Sequence, residues 1–460
     1  MTMTDPHGTA TAAHPRRWQA LGLLAVAQFM LILDITVVTV AMPDLGAELG
    51  MGRNSLTWVM TAYTLAFGGL MLLAGRAADV LGPRRLVLAG LGVFTLASLA
   101  VALSSSGAMV IGGRTAQGIG AALISPAALS VVVRLFEGEE RNKALGIWSS
   151  LGGVGAAVGV LLGGVLTAGP GWEWVFFVNV PVGAMLLVGL HRLLPPMPPW
   201  ATGGRLDVLG AVLVSGATLL VIYAFIGAGE RGWMSGTTLG VLAAGMIAYA
   251  ACGAWLRRTA TPLVEPQLLT RRPVLAGTFV LFVTTGLMVA VFFLGTFYLQ
   301  GPAGHGPLTT GLLFLPVALA TMIGAQAGGR LIGRTGARSL GVGGLLVAAA
   351  GLSAPAFSVS TGSVVAAVSV GAAGLGALFV VAAATALGQV APEEAGIASG
   401  VLSTSHELGS SLGVALVSGV VAGSLVGGTS AGFEHGYLVA SAVAVGAALL
   451  AGVLIPGRPR

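Results

Sequence analysis

Long apolar runs separated by short polar or charged stretches dominate the chain from residue 18 onward. Fourteen can be marked, with approximate limits 18–41, 55–75, 85–103, 108–133, 144–167, 174–194, 207–227, 236–256, 274–299, 308–329, 339–358, 363–389, 397–424 and 436–456. A helix crosses a bilayer in roughly 20 mostly apolar residues at about 1.5 Å each, and these runs match that length. Runs such as Leu86–Leu103 are apolar throughout, whereas strands of an outer-membrane barrel would alternate apolar and polar positions. The pattern predicts an all-α polytopic membrane protein of fourteen spans. Met1–Arg17 is short and polar. The apolar run behind it is too long for a signal peptide, and no small-residue cleavage site follows. It reads as a cytoplasmic tail before a retained span.

Composition agrees with that pattern. Hydrophobic residues make up 55% and charged residues 8%, against roughly 25% charged in a soluble domain. The 73 glycines suit helices packed closely in lipid. Cys252 stands alone, which excludes an intramolecular disulfide and a Cys-based zinc site. The six histidines are scattered, so no metal site and no cofactor is expected. The net charge of +6 is spread over many short loops, which argues against nucleic acid as a partner. An even span count puts both termini on one side. All the basic residues fall on that side except Arg53 and Arg231 opposite and Arg114 within a span. This bias places both termini in the cytoplasm and the chain in the cell's inner (plasma) membrane.

Two linkers are longer than the rest. Residues 191–206 carry Pro195, Pro196, Pro198 and Pro199, and residues 257–273 carry Arg257, Arg258, Arg271 and Arg272. They divide the chain into an N-terminal six-helix bundle at 1–199, a two-helix insertion at 200–260 and a C-terminal six-helix bundle at 261–460. The outer parts read as copies: Gly75, Arg76, Gly82 and Arg84 align with Gly329, Arg330, Gly336 and Arg338, each set following the second span of its half. Two homologous halves related by an axis along the membrane normal make a transporter, with the site between them.

Several segments resemble the major facilitator superfamily, specifically its fourteen-span drug:proton antiporter branch. These are Leu33–Pro43 at the end of span one, the loop Gly75–Arg85, Gly113–Gly120 in span four, and Trp172–Pro181 at the start of span six. In span five Gly155, Gly159 and Gly163 keep the spacing that allows close helix approach, while Val160 stands where that branch usually has Pro. The resemblance implies two six-helix bundles plus two additional helices. It also implies proton-coupled export of amphiphilic organic compounds, cationic ones among them (drugs, antibiotics or natural products), by a monomer, with protons and the bilayer as its other partners. No Walker-type ATP motif is present, so the energy must come from an ion gradient. The alternatives are import or facilitated passage of a small solute on the same fold, and a membrane-embedded lipid-modifying enzyme. The enzyme would need a His, Asp or Cys cluster at one membrane face, and the sequence offers none.

An ionisable residue inside the bilayer is expensive and is a functional candidate by default. Asp34 and Arg114 lie at similar depth, roughly 9–14 Å from the outer surface at about 1.5 Å per residue. They are expected to form a proton-handling pair, with a structural ion pair as the plainer alternative. Glu407 is a second proton or cation site near mid-membrane. His406 beside it points about 100° away on the helix, so the two are not expected to pair. Gln28, Tyr63, Gln117, Trp148, Thr385 and His406 are candidates to line a substrate cavity. In the loop, Gly75 and Gly82 permit tight backbone, and Arg84 and Arg85 satisfy the positive-inside bias. Asp79 is expected to seat at the positive N-terminal end of span thirteen as a gate. The charges from Arg134 to Lys143 read as a solvated loop, and His305 and Glu173 as solvated outer-end residues.

Overall fold

A computed structural model describes residues 16–457, apart from 52, 200–206, 260–261, 263–265, 301, 358–359, 389, 392–393 and 428–430. The tail at 1–15 and the proposed domain limits at 199/200 and 260/261 thus lie outside or at the edge of the described residues. Every regular element among the described residues is helical. In order they are α1 (Arg17–Glu48), α2 (Arg53–Leu81), α3 (Pro83–Ala102), α4 (Gly107–Leu135), α5 (Gly138–Ala168), the short α6 (Trp174–Phe177) and α7 (Asn179–Leu193). Then come α8 (Val208–Arg231), α9 (Gly236–Leu256), the short α10 (Pro266–Thr270), α11 (Arg272–Gln300), the short α12 (Pro307–Leu313), α13 (Leu315–Thr335) and α14 (Ala337–Ser353). After a 3-10 turn at Ala354–Ala356 follow α15 (Thr361–Leu387), α16 (Ala395–Gly427) and α17 (Ala431–Leu454).

Eleven helical segments are long and apolar enough to cross a membrane, with α6–α7 and α12–α13 each counting as one. α14 is apolar but shorter. The expected run 339–358 is cut at Ser353, where Pro355 cannot donate an amide hydrogen and the chain tightens into the 3-10 turn. Elsewhere the helices outrun the apolar stretches: α1 continues to Glu48 and α2 starts at Arg53.

Packing repeats along the chain. α1 packs on α5 and α7, α2 on α4, and α3 on α4 and α7. Later, α11 packs on α16 and α17, α13 on α15, and α14 on α15 and α17. The two sets meet along two seams, α2 on α16 and α5 on α13. α8 lies against both α2 and α16, and α9 packs on α8. The repeated loops share one backbone turn: Gly82 caps α3 at φ 91° and Gly336 caps α14 at φ 84°. Only glycine enters that region without strain. At Gly82 a Cβ would also lie 2.7 Å from the Met197 carbonyl.

Within the insertion, Asp207 caps α8 by accepting the Gly210 amide at 2.8 Å, and it accepts the Trp255 indole N–H at 2.9 Å. The Thr218 and Tyr249 hydroxyls meet at 2.7 Å. These polar contacts hold α8 and α9 together as a hairpin.

Candidate functional site

Asp34 on α1 is 1% exposed, and a buried carboxylate is costly unless its oxygens are satisfied. Arg114 of α4 pairs with its Oδ2 through Nη1. Its Oδ1 accepts from Asn179 Nδ2 at 3.0 Å and from Gln117 Nε2 at 3.2 Å. Gln117, one turn beyond Arg114, accepts from Arg114 Nη1 at 2.9 Å and donates to Ser98 Oγ at 2.8 Å. Arg114 Nε donates to the Val59 carbonyl of α2 at 3.3 Å. The guanidinium also sits 4.3 Å from the centre of the Tyr63 ring, within cation–π range. The network therefore gathers α1, α2, α3, α4 and α7 of the first set around one carboxylate. Two of its buried polar atoms, Arg114 Nη2 and the Tyr63 hydroxyl, have no hydrogen-bond partner among the described residues.

Glycines bring the backbones close enough for these reaches. At Gly118 a Cβ would come 2.5 Å from the Tyr63 carbonyl, so α4 touches α2 there. On α5, a Cβ at Gly155 would meet the Ile32 side chain at 2.6 Å, and one at Gly159 would strike Thr36. These two glycines press α5 onto α1 on either side of Asp34. Gly163 is buried one turn further on.

Glu407 on α16 is 7% exposed. Its side chain lies where a Cβ on Gly68 of α2 would sit 3.2 Å away, with Ile222 of α8 at the same spot. His406 and Glu407 do pair, contrary to the expectation from their positions on the helix. His406 Nδ1 is 3.1 Å from Glu407 Oε1. The Cα–Cβ vectors diverge, but the longer Glu side chain folds back to reach the imidazole. The His406 ring is 6.3 Å from Phe379 of α15, and its side chain is 44% exposed.

At the far end of α2, Asp79 is fully buried against α16. Its Oδ1 accepts the Gly396 amide at 2.8 Å and its Oδ2 accepts the Ile397 amide at 2.9 Å. These amides belong to the first turn of α16, which has no intrahelical partner for them and carries a positive dipole end. Close approach depends on bare backbone: a Cβ on Gly75 would lie 2.5 Å from the Gly396 carbonyl and 3.0 Å from Gly400 Cα. Arg134 Nη2 is 3.8 Å from Asp79 Oδ1, with its side chain 7% exposed.

Arg134 is thus not part of a solvated loop. Arg141 also turns inward, donating to the carbonyls of Phe136 at 2.9 Å and Val133 at 3.1 Å, and Glu140 pairs with Arg17 at 2.9 Å. The reason is the end of α4, whose last carbonyls need donors. Arg84 has a similar job, donating to the His191 carbonyl in the last turn of α7 at 2.7 Å, while Arg85 is exposed. His305 is not simply solvated either, since its Nε2 meets Thr361 Oγ1 at 3.0 Å.

Among the expected cavity residues, Gln117 and Tyr63 are drawn into the Asp34 network. Among the described residues, the buried Thr385 hydroxyl and the carbonyl oxygen of half-buried Gln28 have no hydrogen-bond partner, and Trp148 is half-buried against the core. Asn179 and Ser98 are network members that the sequence reading gave no role. Asn179 lies inside the Trp172–Pro181 segment, which is its signal in the sequence. Ser98 had none.

The description Major Facilitator Superfamily belongs to the sequence family matching residues 24–414. The chain is 40% identical to the puromycin resistance protein of Streptomyces alboniger, over 96% of this chain and 91% of that protein. It is 36% identical to the cephamycin export protein of Amycolatopsis lactamdurans, over 85% of this chain and 82% of that one. Its fold matches the crystal structure of the human organic anion transporter MFSD10 with a TM-score of 0.70 at 17% identity, covering 96% of this chain and all of the other. With the family match running through both helical sets, and relatives named for antibiotic resistance and export, the chain belongs to the Major Facilitator Superfamily and is a multi-pass membrane transporter.

Proposed function

We propose that the chain is a proton-coupled exporter of amphiphilic, cationic organic compounds working by alternating access. The observation that carries this reading is the buried Asp34 carboxylate held by Arg114, Gln117 and Asn179. Ionised, Asp34 is compensated by the guanidinium. Protonated from outside, it loses the ion pair and releases Arg114, which rearranges the contacts of α4 with α2. The proton leaves when the site faces inward. Glu407, near the seam between the sets, supplies a negative partner for an amine-bearing substrate, with His406, Tyr63, Thr385, Gln28 and Trp148 shaping the space. Asp79 on the first turn of α16 is the latch of the cytoplasmic side, seated by Gly75 and Gly82. The names of the relatives, puromycin resistance and cephamycin export, support antibiotics as the substrate class.

The same reading takes the chain as a fourteen-span monomer of the inner membrane with both termini cytoplasmic. The eleven long apolar segments are joined in that count by α5, α14 and α16. Its parts are the bundles at 1–199 and 261–460 and the hairpin insertion at 200–260. The test is substrate-driven proton flux in proteoliposomes with an imposed pH gradient and a panel of cationic dyes and antibiotics. Asp34→Asn keeps the shape but cannot titrate, so it abolishes uphill accumulation while leaving downhill exchange. Flux at the wild-type level in that variant moves the coupling role to Glu407.

A further inference from the structure

The Glu407 carboxylate is set back from the space between the helical sets. Its stem is wedged between α2 and α8: a Cβ on Gly68 would lie 3.2 Å from Glu407 Cβ and 2.6 Å from Ile222 Cδ1. Two residues on, Gly409 faces α11, where a Cβ would strike the Phe282 carbonyl. At about 100° per residue, His406 falls between these two faces of α16. Its ring lies beside Phe379 of α15, and its side chain is 44% exposed against 9% for that of Glu407. A molecule entering the space therefore meets the imidazole before the carboxylate. The two side chains act as one group. An ionised carboxylate only accepts hydrogen bonds, so the proton of the 3.1 Å contact sits on His406 Nδ1 and is donated to Glu407 Oε1. That bond fixes the tautomer, and Nε2 of the neutral ring keeps its lone pair. Among the described residues Nε2 has no hydrogen-bond partner. A carboxylate behind an imidazole raises the basicity of the far nitrogen, so Nε2 is a strong acceptor in an open position.

We infer that His406 Nε2, backed by Glu407, is the specificity-determining group of the site and selects cations that carry an N–H. A protonated primary, secondary or tertiary amine donates that hydrogen to Nε2, and the negative charge of Glu407 balances the ammonium through the ring. A quaternary ammonium has no hydrogen to give. It gains only the charge of Glu407 and the aromatic face of Phe379, which attract any cation. Placing the carboxylate one residue behind the acceptor thus turns a plain charge site into one that reads the substitution of the nitrogen.

This rests on the reading of the chain as an exporter of cationic amphiphiles, but its test measures binding with no pH gradient, so proton coupling can fail while the selection stands. The probes are a dansyl amide with a dimethylaminopropyl arm, protonated at neutral pH, and its trimethylammonium counterpart. Each is titrated by fluorescence against the purified full chain. His406→Phe should weaken the dimethylammonium probe about tenfold, equivalent to roughly 1.4 kcal/mol, and change the trimethylammonium probe less than about twofold. His406→Gln, which offers a carbonyl oxygen in place of Nε2, should recover part of that loss. Glu407→Gln should weaken both probes, because it removes the charge that both use. Retained binding of the trimethylammonium probe shows that each His406 variant is folded. Equal loss of both probes in the two His406 variants overturns the selection, since a residue that only packs does not tell them apart. Unchanged binding of both probes overturns it as well. A wild-type chain that binds neither probe overturns the cationic substrate class together with it.

Discussion

Replacing Asp79 by Asn removes a charge and one acceptor while keeping nearly the same shape. In the structure the carboxylate takes two backbone amides, at 2.8 and 2.9 Å, from a helix end that is otherwise unsatisfied. An Asn amide can accept one of these but must turn its NH2 toward the other. Hydrogen bonds to charged groups contribute about 1.5–3 kcal/mol, and an anion at a partly buried helix N-terminus up to about 2 kcal/mol, with overlap between the two. A loss of about 2–3 kcal/mol for the closed arrangement follows. That is roughly a 30- to 150-fold shift toward separation of α2 from α16 at about 1.4 kcal/mol per decade. The reporter is Ser399→Cys in a Cys252→Ser background. Ser399 is fully buried one turn into α16, so a membrane-impermeant maleimide reaches it only when the seam opens. Asp79→Asn should accelerate that modification by the stated factor in inside-out vesicles. Asp79→Glu, one methylene longer, should fall between the two because it keeps the charge and misplaces it. Equal rates for Asp79→Asn and the parent would show that the carboxylate does not hold this seam shut.

Two further outcomes follow from the Asp34 site. Arg114→Ala leaves a fully buried carboxylate without its counter-charge, and removal of one partner of a buried pair costs about 3–5 kcal/mol. The purified variant should melt well below wild type, with Asp34→Asn added to it restoring much of the loss; a double variant no more stable than Arg114→Ala alone refutes the pairing energetics. Gly159→Val puts a branched side chain into Thr36, so α5 must withdraw from α1 beside Asp34. Overpacking of this kind costs about 1–3 kcal/mol, and proton flux should fall well below wild type; undiminished flux would remove the special role of that contact.

Much of the architecture is legible because the bilayer simplifies the code. Uninterrupted apolar runs mark helices, eleven segments of which are long and apolar enough to cross a membrane. The pairing of Asp34 with Arg114 was readable from depth alone, and the seat of Asp79 from the rule that anions favour helix N-termini. What was not readable has identifiable causes. Asn179 and Ser98 are neutral and small, so nothing in a single sequence separates them from other polar residues in spans. Arg134 carries the same positive charge as the exposed Lys143, and only the fold turns it toward Asp79. The break at Pro355 was hidden because the apolar run continues through it. His406 and Glu407 show the limit of helical geometry as a guide: it fixes the Cβ directions but not where a flexible carboxylate ends.

The deepest connection between the two candidate sites runs through α2. Near one end its Val59 carbonyl and Tyr63 ring receive Arg114. At the other its Asp79 holds α16. No proline interrupts the helix between them, which spans roughly 30 Å at about 1.5 Å per residue. A change in the hold of Arg114 on Asp34 therefore acts on one end of a rod whose other end is the latch. Sites this far apart ordinarily contribute additively to within about 0.3–0.5 kcal/mol. If α2 transmits the protonation of Asp34 to the latch, Asp34→Asn and Asp79→Asn should not add. Asp34→Asn alone should raise the maleimide reactivity of Ser399→Cys, and the double variant should fall short of the product of the two effects. The coupling expected lies within the range of about 0.5–3 kcal/mol seen for interacting residues. Strict additivity would mean that the carboxylate and the latch work independently, and that the coupling passes through α5 or α16 instead.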